Sequence, residues 1–194
     1  MKSENKLQGK DLINIGIFTA IYLVIIVAVA MLGFIPIFLP LLSIIAPVLG
    51  GIPCMLFLTK VKKPGMILIM SIIMGIMMIL TGMGYYALLV GIASGTIAEI
   101  IYRSGKYTSA SKAVLSYGVF SIWIWGNYFL FYFNQEKFFA AKESFGQDYK
   151  DTILKIMPSW LFPVLLVCTF VFGIIGGLLG KSMLKKHFVK AGIV

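Results

Sequence analysis

Charge, histidine and cysteine are all scarce in this sequence. Its 194 residues include seven acidic side chains, one histidine and two cysteines, and only 12% are charged, about half the share of an ordinary soluble domain. A single histidine, His187, permits neither a paired-histidine metal site nor a Ser-His-Asp triad within one chain. A glycine-rich phosphate-cradling loop is missing as well, so any ATP-driven step falls to another subunit. These absences exclude the common acid–base, nucleophilic and metal routes of catalysis, and the chain is read as a non-enzyme with no cofactor and no metal. Cys54 and Cys168 lie inside apolar runs, where they are small apolar fillers rather than a disulfide.

Apolar residues are abundant instead: 60% of the chain is hydrophobic and its mean hydropathy is +0.98. A helix needs about 20 mainly apolar residues to cross roughly 30 Å of hydrocarbon. Apolar runs at 12–33, 37–59, 66–81, 85–102, 113–133 and 157–179 satisfy or approach that length. The expected fold is therefore an all-α membrane protein, one domain over 1–194, built as a bundle of six transmembrane helices. The third run is short, which leaves open a thinned or buried crossing and a five-span alternative.

The distribution of basic residues argues for six. Lysine and arginine concentrate in short cytoplasmic loops. Lys2, Lys6 and Lys10 precede the first run; Lys60, Lys62 and Lys63 follow the second; Arg103, Lys106 and Lys112 follow the fourth; Lys181, Lys185, Lys186 and Lys190 follow the sixth. Six crossings put all thirteen on one side, with both termini in the cytoplasm. The other side receives turns near Pro36 and Gly82 and a longer loop over 134–152, which mixes Lys137, Lys142 and Lys150 with Glu136, Glu143, Asp148 and Asp151. The net charge of +10 is thus a topology signal and an attraction to anionic lipid heads of the bilayer. Nucleic acid is not expected as a partner, because no basic cluster adjoins a stacking surface outside the membrane. The first run follows a lysine-rich leader and contains Ala28-Val29-Ala30, but it exceeds the 7–15-residue core of a signal peptide and is read as an uncleaved helix.

Within the spans, Glu99 is the only carboxylate. Arg103 stands four residues on, so a helical ion pair is preferred to a proton relay. Met66, Met70, Met74 and Met78 recur every fourth residue; lacking histidine or cysteine company, they are read as packing rather than a copper path. Rows of small residues allow helices to approach closely in lipid. Those at Ala87, Gly91 and Gly95, and at Gly173, Gly176, Gly177 and Gly180, are read as internal packing, whereas Gly16 and Ala20 stand where a partner's helix could dock. Pro40, Pro47, Gly50, Gly51 and Pro53 interrupt the second span, as a kink that shapes the bundle or as a cavity wall or mobile gate.

Aromatic and amide groups gather towards the outer side: Tyr85 and Tyr86, then Trp123, Trp125, Asn127, Tyr128, Tyr132 and Asn134, then Trp160. An interfacial aromatic belt accounts for much of this. It does not account for Asn127, an amide two turns deep that must find partners, and aromatic walls with a few placed polar groups describe a small-molecule site. The candidate substrate-binding residues are Tyr85, Tyr86, Trp123, Asn127, Tyr128 and Trp160, among the outer ends of spans four to six, with 134–152 as a lid.

Three stretches resemble a known family: Gly9-Lys10-Asp11-Leu12-Ile13-Asn14-Ile15-Gly16-Ile17-Phe18-Thr19-Ala20-Ile21-Tyr22, the segment GGIPCMLFLTKVKKPG at 50–65, and GMGYY from Gly82. They are similar to the Trep_Strep family of bacterial integral membrane proteins, and the resemblance covers most of the chain. It implies the role of an S component, the substrate-specific subunit of an energy-coupling factor (ECF) transporter in the cell membrane. Such a subunit captures a vitamin-like micronutrient from outside and works with a membrane T component and two ATPase subunits. A small-xxx-small row on helix one, commonly AxxxA, meets the T component; Gly16 and Ala20 occupy the matching positions, with glycine in place of the first alanine. The resemblance implies no particular substrate. The competing reading is a structural or regulatory membrane subunit without a ligand.

Overall fold

The computed structural model describes residues 6–184; Lys2, Lys185, Lys186 and Lys190, which helped to assign sides, and the lone His187 lie outside the described residues. Among the described residues the regular elements are helices, with no strand. In hydrocarbon each backbone N–H and C=O has to be paired within its own segment or a closed barrel, so long apolar runs become helices. The order is α1 (Gly9–Ala30), a 3₁₀ turn (Met31–Phe34), α2 (Phe38–Lys60), α3 (Met66–Leu80), α4 (Tyr86–Ser104) and α5 (Ala110–Phe120). A second 3₁₀ stretch (Ser121–Tyr128) leads into α6 (Phe129–Phe133); α7 (Gln135–Ala140), a short turn (Glu143–Phe145), α8 (Gly146–Ile156) and α9 (Leu161–Met183) follow.

Among the described residues five segments are long and apolar enough to cross a membrane: Gly9–Phe34, Phe38–Lys60, Tyr86–Ser104, Ala110–Phe133 and Leu161–Met183. The shorter apolar helix α3 has 15 residues, a length of about 22 Å at 1.5 Å per residue. Its two ends nevertheless lie beside the two ends of α1. Just before α3, Lys63 Nζ pairs with Asp11 Oδ2 at 2.8 Å, in the first turn of α1. At the other end, Met78 and Met83 share a cavity with Val29 and Gly33.

Stripes decide which faces are buried. On α1 the buried residues Asp11, Ile15, Thr19, Tyr22, Ile26 and Val29 recur every three or four positions, one face of a helix. The opposite face, with Ile13, Ile17 and Val24, is exposed to the surroundings of the bundle. On α3 the methionines Met66, Met70, Met74 and Met78 are all buried core residues, consistent with adaptable thioether packing.

The central seam joins α2 to α9, with α5 packed against α9, α4 against α3 and α5, and α1 against α2 and α3. Small residues set its closeness: a Cβ built on Gly51 would overlap the backbone of Gly176, and one on Gly176 would overlap the carbonyl of Pro47. Pro47, Gly50, Gly51 and Pro53 are buried, and Tyr117 Oη donates to the Pro47 carbonyl at 2.5 Å. The irregular middle of α2 therefore serves close packing. Its cavity-facing residues, Leu39, Leu42 and Ala46, lie before Pro47.

Glu99 corrects one expectation. Its Oε2 accepts the backbone N–H of Ile67 at 2.9 Å, and its Oε1 accepts from Tyr107 Oη at 3.0 Å. Arg103 is exposed and forms no ion pair with it among the described residues. The first-turn N–H groups of a helix lack intrahelical acceptors and carry partial positive charge, so a carboxylate is a strong cap for so short a helix. Tyr102 Oη, donating towards the carbonyls of Leu58 and Tyr107 at 3.0 Å each, ties the same end of the bundle to α2. Glu99→Ala is expected to cost about 2–3 kcal/mol, because it strands a buried N–H and removes a charge-assisted bond. Thermal unfolding in detergent reads this; Glu99→Gln, which keeps an acceptor, should fall between.

Candidate functional site

Beyond Phe120 the apolar segment Ala110–Phe133 changes character. The 3₁₀ run Ser121–Tyr128 has eight residues, whereas 3₁₀ segments beyond three or four are uncommon and often mark functional stretches. Ser121 is buried there, with Oγ placed to donate to the carbonyls of Gly118 and Thr169, each at 2.8 Å. The run brings Trp123, Ile124, Asn127 and Tyr128 to one wall of a cavity of about 280 Å³ that is partly open, since Met31 and Phe34 in its lining are each 57% exposed. The facing walls come from the C-terminal end of α1 and the turn after it (Ile26, Val29, Gly33), the start of α2 (Leu39, Leu42, Ala46) and the end of α3 (Met78). Phe131, Phe138 and Lys142 complete the lining.

Each polar group in this wall has a distinct fate. Trp123 is 1% exposed; its Nε1 donates to Tyr22 Oη at 3.2 Å. Tyr128 Oη donates to the Leu39 carbonyl at 3.0 Å. Asn127 Nδ2 donates to the Ile124 carbonyl at 3.1 Å, while its Oδ1 is buried with no hydrogen-bond partner. Rotating the amide would set two oxygens against each other, so the bonded orientation leaves the acceptor free. A buried unpaired acceptor costs about 1–3 kcal/mol. The other such atom among the described residues, Thr19 Oγ1, belongs to a residue outside this lining.

The segment 134–152, expected as a loop, is largely helical. Asn134 Oδ1 accepts the N–H of Lys137 at 3.1 Å and caps α7. Phe138 on α7 is buried, with its ring 5.3 Å from that of Phe131. Helix α8 has a polar face and buries Tyr149 and Ile153. Tyr149 Oη donates to the Gly33 carbonyl at 2.8 Å, and the Phe145 ring lies 5.4 Å from that of Phe34. The segment 134–152 is thereby fastened to the turn after α1. Lys142 is the cavity's one charged lining residue, with Nζ 3.9 Å from the Phe138 ring centroid. Burial lowers its ammonium from the usual lysine range. Among the described residues, no group of three or more His, Cys, Asp or Glu side chains could hold a metal ion.

Trp123, Asn127 and Tyr128 thus come together, but Tyr85, Tyr86 and Trp160 do not join them. Tyr85 is 55% exposed and stacks on Tyr86, which stacks in turn on Phe129. Trp160 is 67% exposed. Tyr85 and Trp160 thus face the surroundings of the bundle, as the rings of an interfacial aromatic belt do. The walls supplied by α1, α2 and α3 had no polar signature by which sequence could mark them. Lys142 had one, a lysine among aromatics at 138–139, but its position against the cavity depends on the turn after α7.

The small residues of α1 behave differently from those of the other helices. Gly16 and Ala20 are exposed, and a Cβ at Gly16 meets nothing within 4 Å. Gly91, Gly95, Gly173, Gly176, Gly177 and Gly180 are all buried within the bundle.

A family model described as a hypothetical bacterial integral membrane protein (Trep_Strep) matches residues 9–190. No curated protein and no solved structure matches the chain.

Proposed function

The chain belongs to the Trep_Strep family of bacterial integral membrane proteins, and from its roofed cavity we propose that it is the solute-capturing S component of an ECF-type transporter. In this reading six helices cross the membrane, with both termini in the cytoplasm. The placement of α3 supports the sixth crossing, since it runs beside α1 from the Lys63–Asp11 pair to the cavity. The basic loops after α2 and α4 meet at one end of the bundle, where Tyr102 and Glu99 join them; that end faces the cytoplasm. The cavity then lies in the outer half.

The observation that carries the proposal is the unpaired Asn127 Oδ1 in a residue that lines an aromatic-walled space beneath a fastened helical roof. Its volume, about 280 Å³, is at the lower end of small-molecule sites, about 300 Å³ and above, and suits a vitamin-sized nutrient. Asn127 Oδ1 is closed to water as packed; a ligand donor that meets it when the amide turns towards the space recovers the energy lost at the unpaired acceptor. Release inwards requires the partners to open the site: a T component docking on the exposed Gly16–Ala20 row of α1, and two ATPase subunits to power the cycle.

Mass spectrometry of small molecules released from the purified protein tests the capture role. One molecule retained near stoichiometry is expected, with recovery at least about tenfold lower from Asn127→Ala, the loss of one buried hydrogen bond and its partner. Absence of any retained molecule, together with no T component co-purifying, would favour a structural or regulatory subunit.

A further inference from the structure

The cavity's polar groups define a class of ligand. Its lining has no Asp or Glu. One buried acceptor, Asn127 Oδ1, lacks a donor, and one half-buried cation, Lys142, has an aromatic ring as its near partner. Lys142 also lines a separate outer groove of about 580 Å³, together with Glu136, Glu143 and Lys150. It is the one residue common to groove and cavity and so stands where the two meet.

Resting on the capture reading, we infer that the ligand is a compact, mainly apolar organic acid: its carboxylate pairs with Lys142 Nζ, and an N–H or O–H at its other end donates to Asn127 Oδ1 once that amide turns from its buried position towards the space. A cationic nutrient would meet Lys142 with no compensating carboxylate in the lining. A wholly apolar one would leave both groups unanswered. Burial disfavours the charged form of Lys142, and a ligand carboxylate beside it would favour that form again through a charge-assisted bond. The rest of the lining, Trp123, Tyr128, Phe131 and Phe138 with Met78 and Met83, offers flat and adaptable apolar surface. A single fused aromatic ring system with a short acidic arm fills a space of this size.

Four probes with one ring system separate the terms by isothermal titration calorimetry on the full chain in detergent: indole-3-acetate, indole-3-acetamide, tryptamine and 1-methylindole-3-acetate. The acid is expected to bind about 10- to 100-fold more tightly than the amide, with the amine weakest. Lys142→Gln should reduce the acid to the level of the amide, and Lys142→Arg should restore its advantage. The 1-methyl acid, which lacks the N–H, should bind about tenfold more weakly than indole-3-acetate to the unaltered protein. The two acids should bind equally to Asn127→Leu; a difference that persists there is steric and overturns the Asn127 contact. Amide or amine binding as tightly as the acid, or an acid preference unchanged in Lys142→Gln, overturns the acid class and leaves the capture role standing. Failure of all four to bind overturns the class as drawn, while a retained molecule in the mass-spectrometric experiment would still support capture.

Discussion

Gly176→Val is expected to leave no folded protein in the membrane. A side chain there would run into the Pro47 carbonyl and come within 2.9 Å of the Val48 Cα, both backbone positions of the facing helix. A flexible side chain could swing aside, but a helix backbone cannot. Helices in lipid gain nothing from hiding apolar surface from water, so their association depends on van der Waals contact and interhelical hydrogen bonds. Forcing α2 from α9 forfeits that contact along the seam. Overpacking in a tight core costs about 1–3 kcal/mol and sometimes more. With backbone on both sides we expect above about 4 kcal/mol, a large part of a typical stability of about 5–15 kcal/mol. Size-exclusion chromatography of tagged protein in detergent reads the outcome as loss of the monodisperse peak. Gly51→Val should behave alike, because its Cβ would overlap the Gly176 backbone, whereas Gly16→Val should keep the peak. A normal peak from Gly176→Val would mean that the seam is not a closure on which the fold depends.

Gly16→Trp is expected to abolish recovery of the T component while leaving the protein itself folded. The site meets no atom within 4 Å of an added Cβ, so the change in stability should stay within about 0.5 kcal/mol, as at ordinary surface positions. On the proposed docking face, the indole holds the partner's backbone away from a row that works only by close approach. Ala20→Trp, one turn along and also exposed, should do the same. A loss of at least about tenfold in co-purified T component, equivalent to about 1.4 kcal/mol, is the expected reading. The retained small molecule should be undiminished, since neither residue lines the cavity. Undisturbed co-purification would remove α1 as the docking helix; loss of both partner and ligand would indicate a general defect.

Those two glycines show where reading from sequence runs out. Gly16 and Gly176 both belong to small-xxx-small rows, and spacing alone marks both as able to approach another helix. Which one finds its neighbour inside the bundle depends on the rotation of each helix about its axis, set by the whole packing arrangement. The same limit applies to Glu99. Its i+4 neighbour Arg103 suggested a local ion pair, but the winning partner was the N-terminus of α3, over thirty residues away in the chain. A local rule sees only local competitors.

The candidate site was half legible for a related reason. Asn127 was conspicuous because an amide in an apolar run violates the pattern, and such violations tend to be functional. Trp123 and Tyr128 came with it. Tyr85, Tyr86 and Trp160 carried the same kind of signal, yet aromatic rings serve the interface and a pocket equally well, and only exposure separates the two uses. The walls from α1, α2 and α3 are plain Ile, Val, Leu, Ala and Met, chemically identical to residues that face lipid.

By itself the sequence determined the solvent and the helices, because apolar length and scarcity of charge are one-dimensional quantities and the backbone in lipid has few other ways to pair its polar groups. It also determined which residue would be out of place. Tertiary structure alone decided that the outer segment would fold into helices fastened by Tyr149 to Gly33, that Lys142 would stand over the cavity, and that Asn127 Oδ1 would be left without a partner. Those outcomes depend on distances between residues remote in the chain, which follow from how rigid helices of fixed shape fill space together.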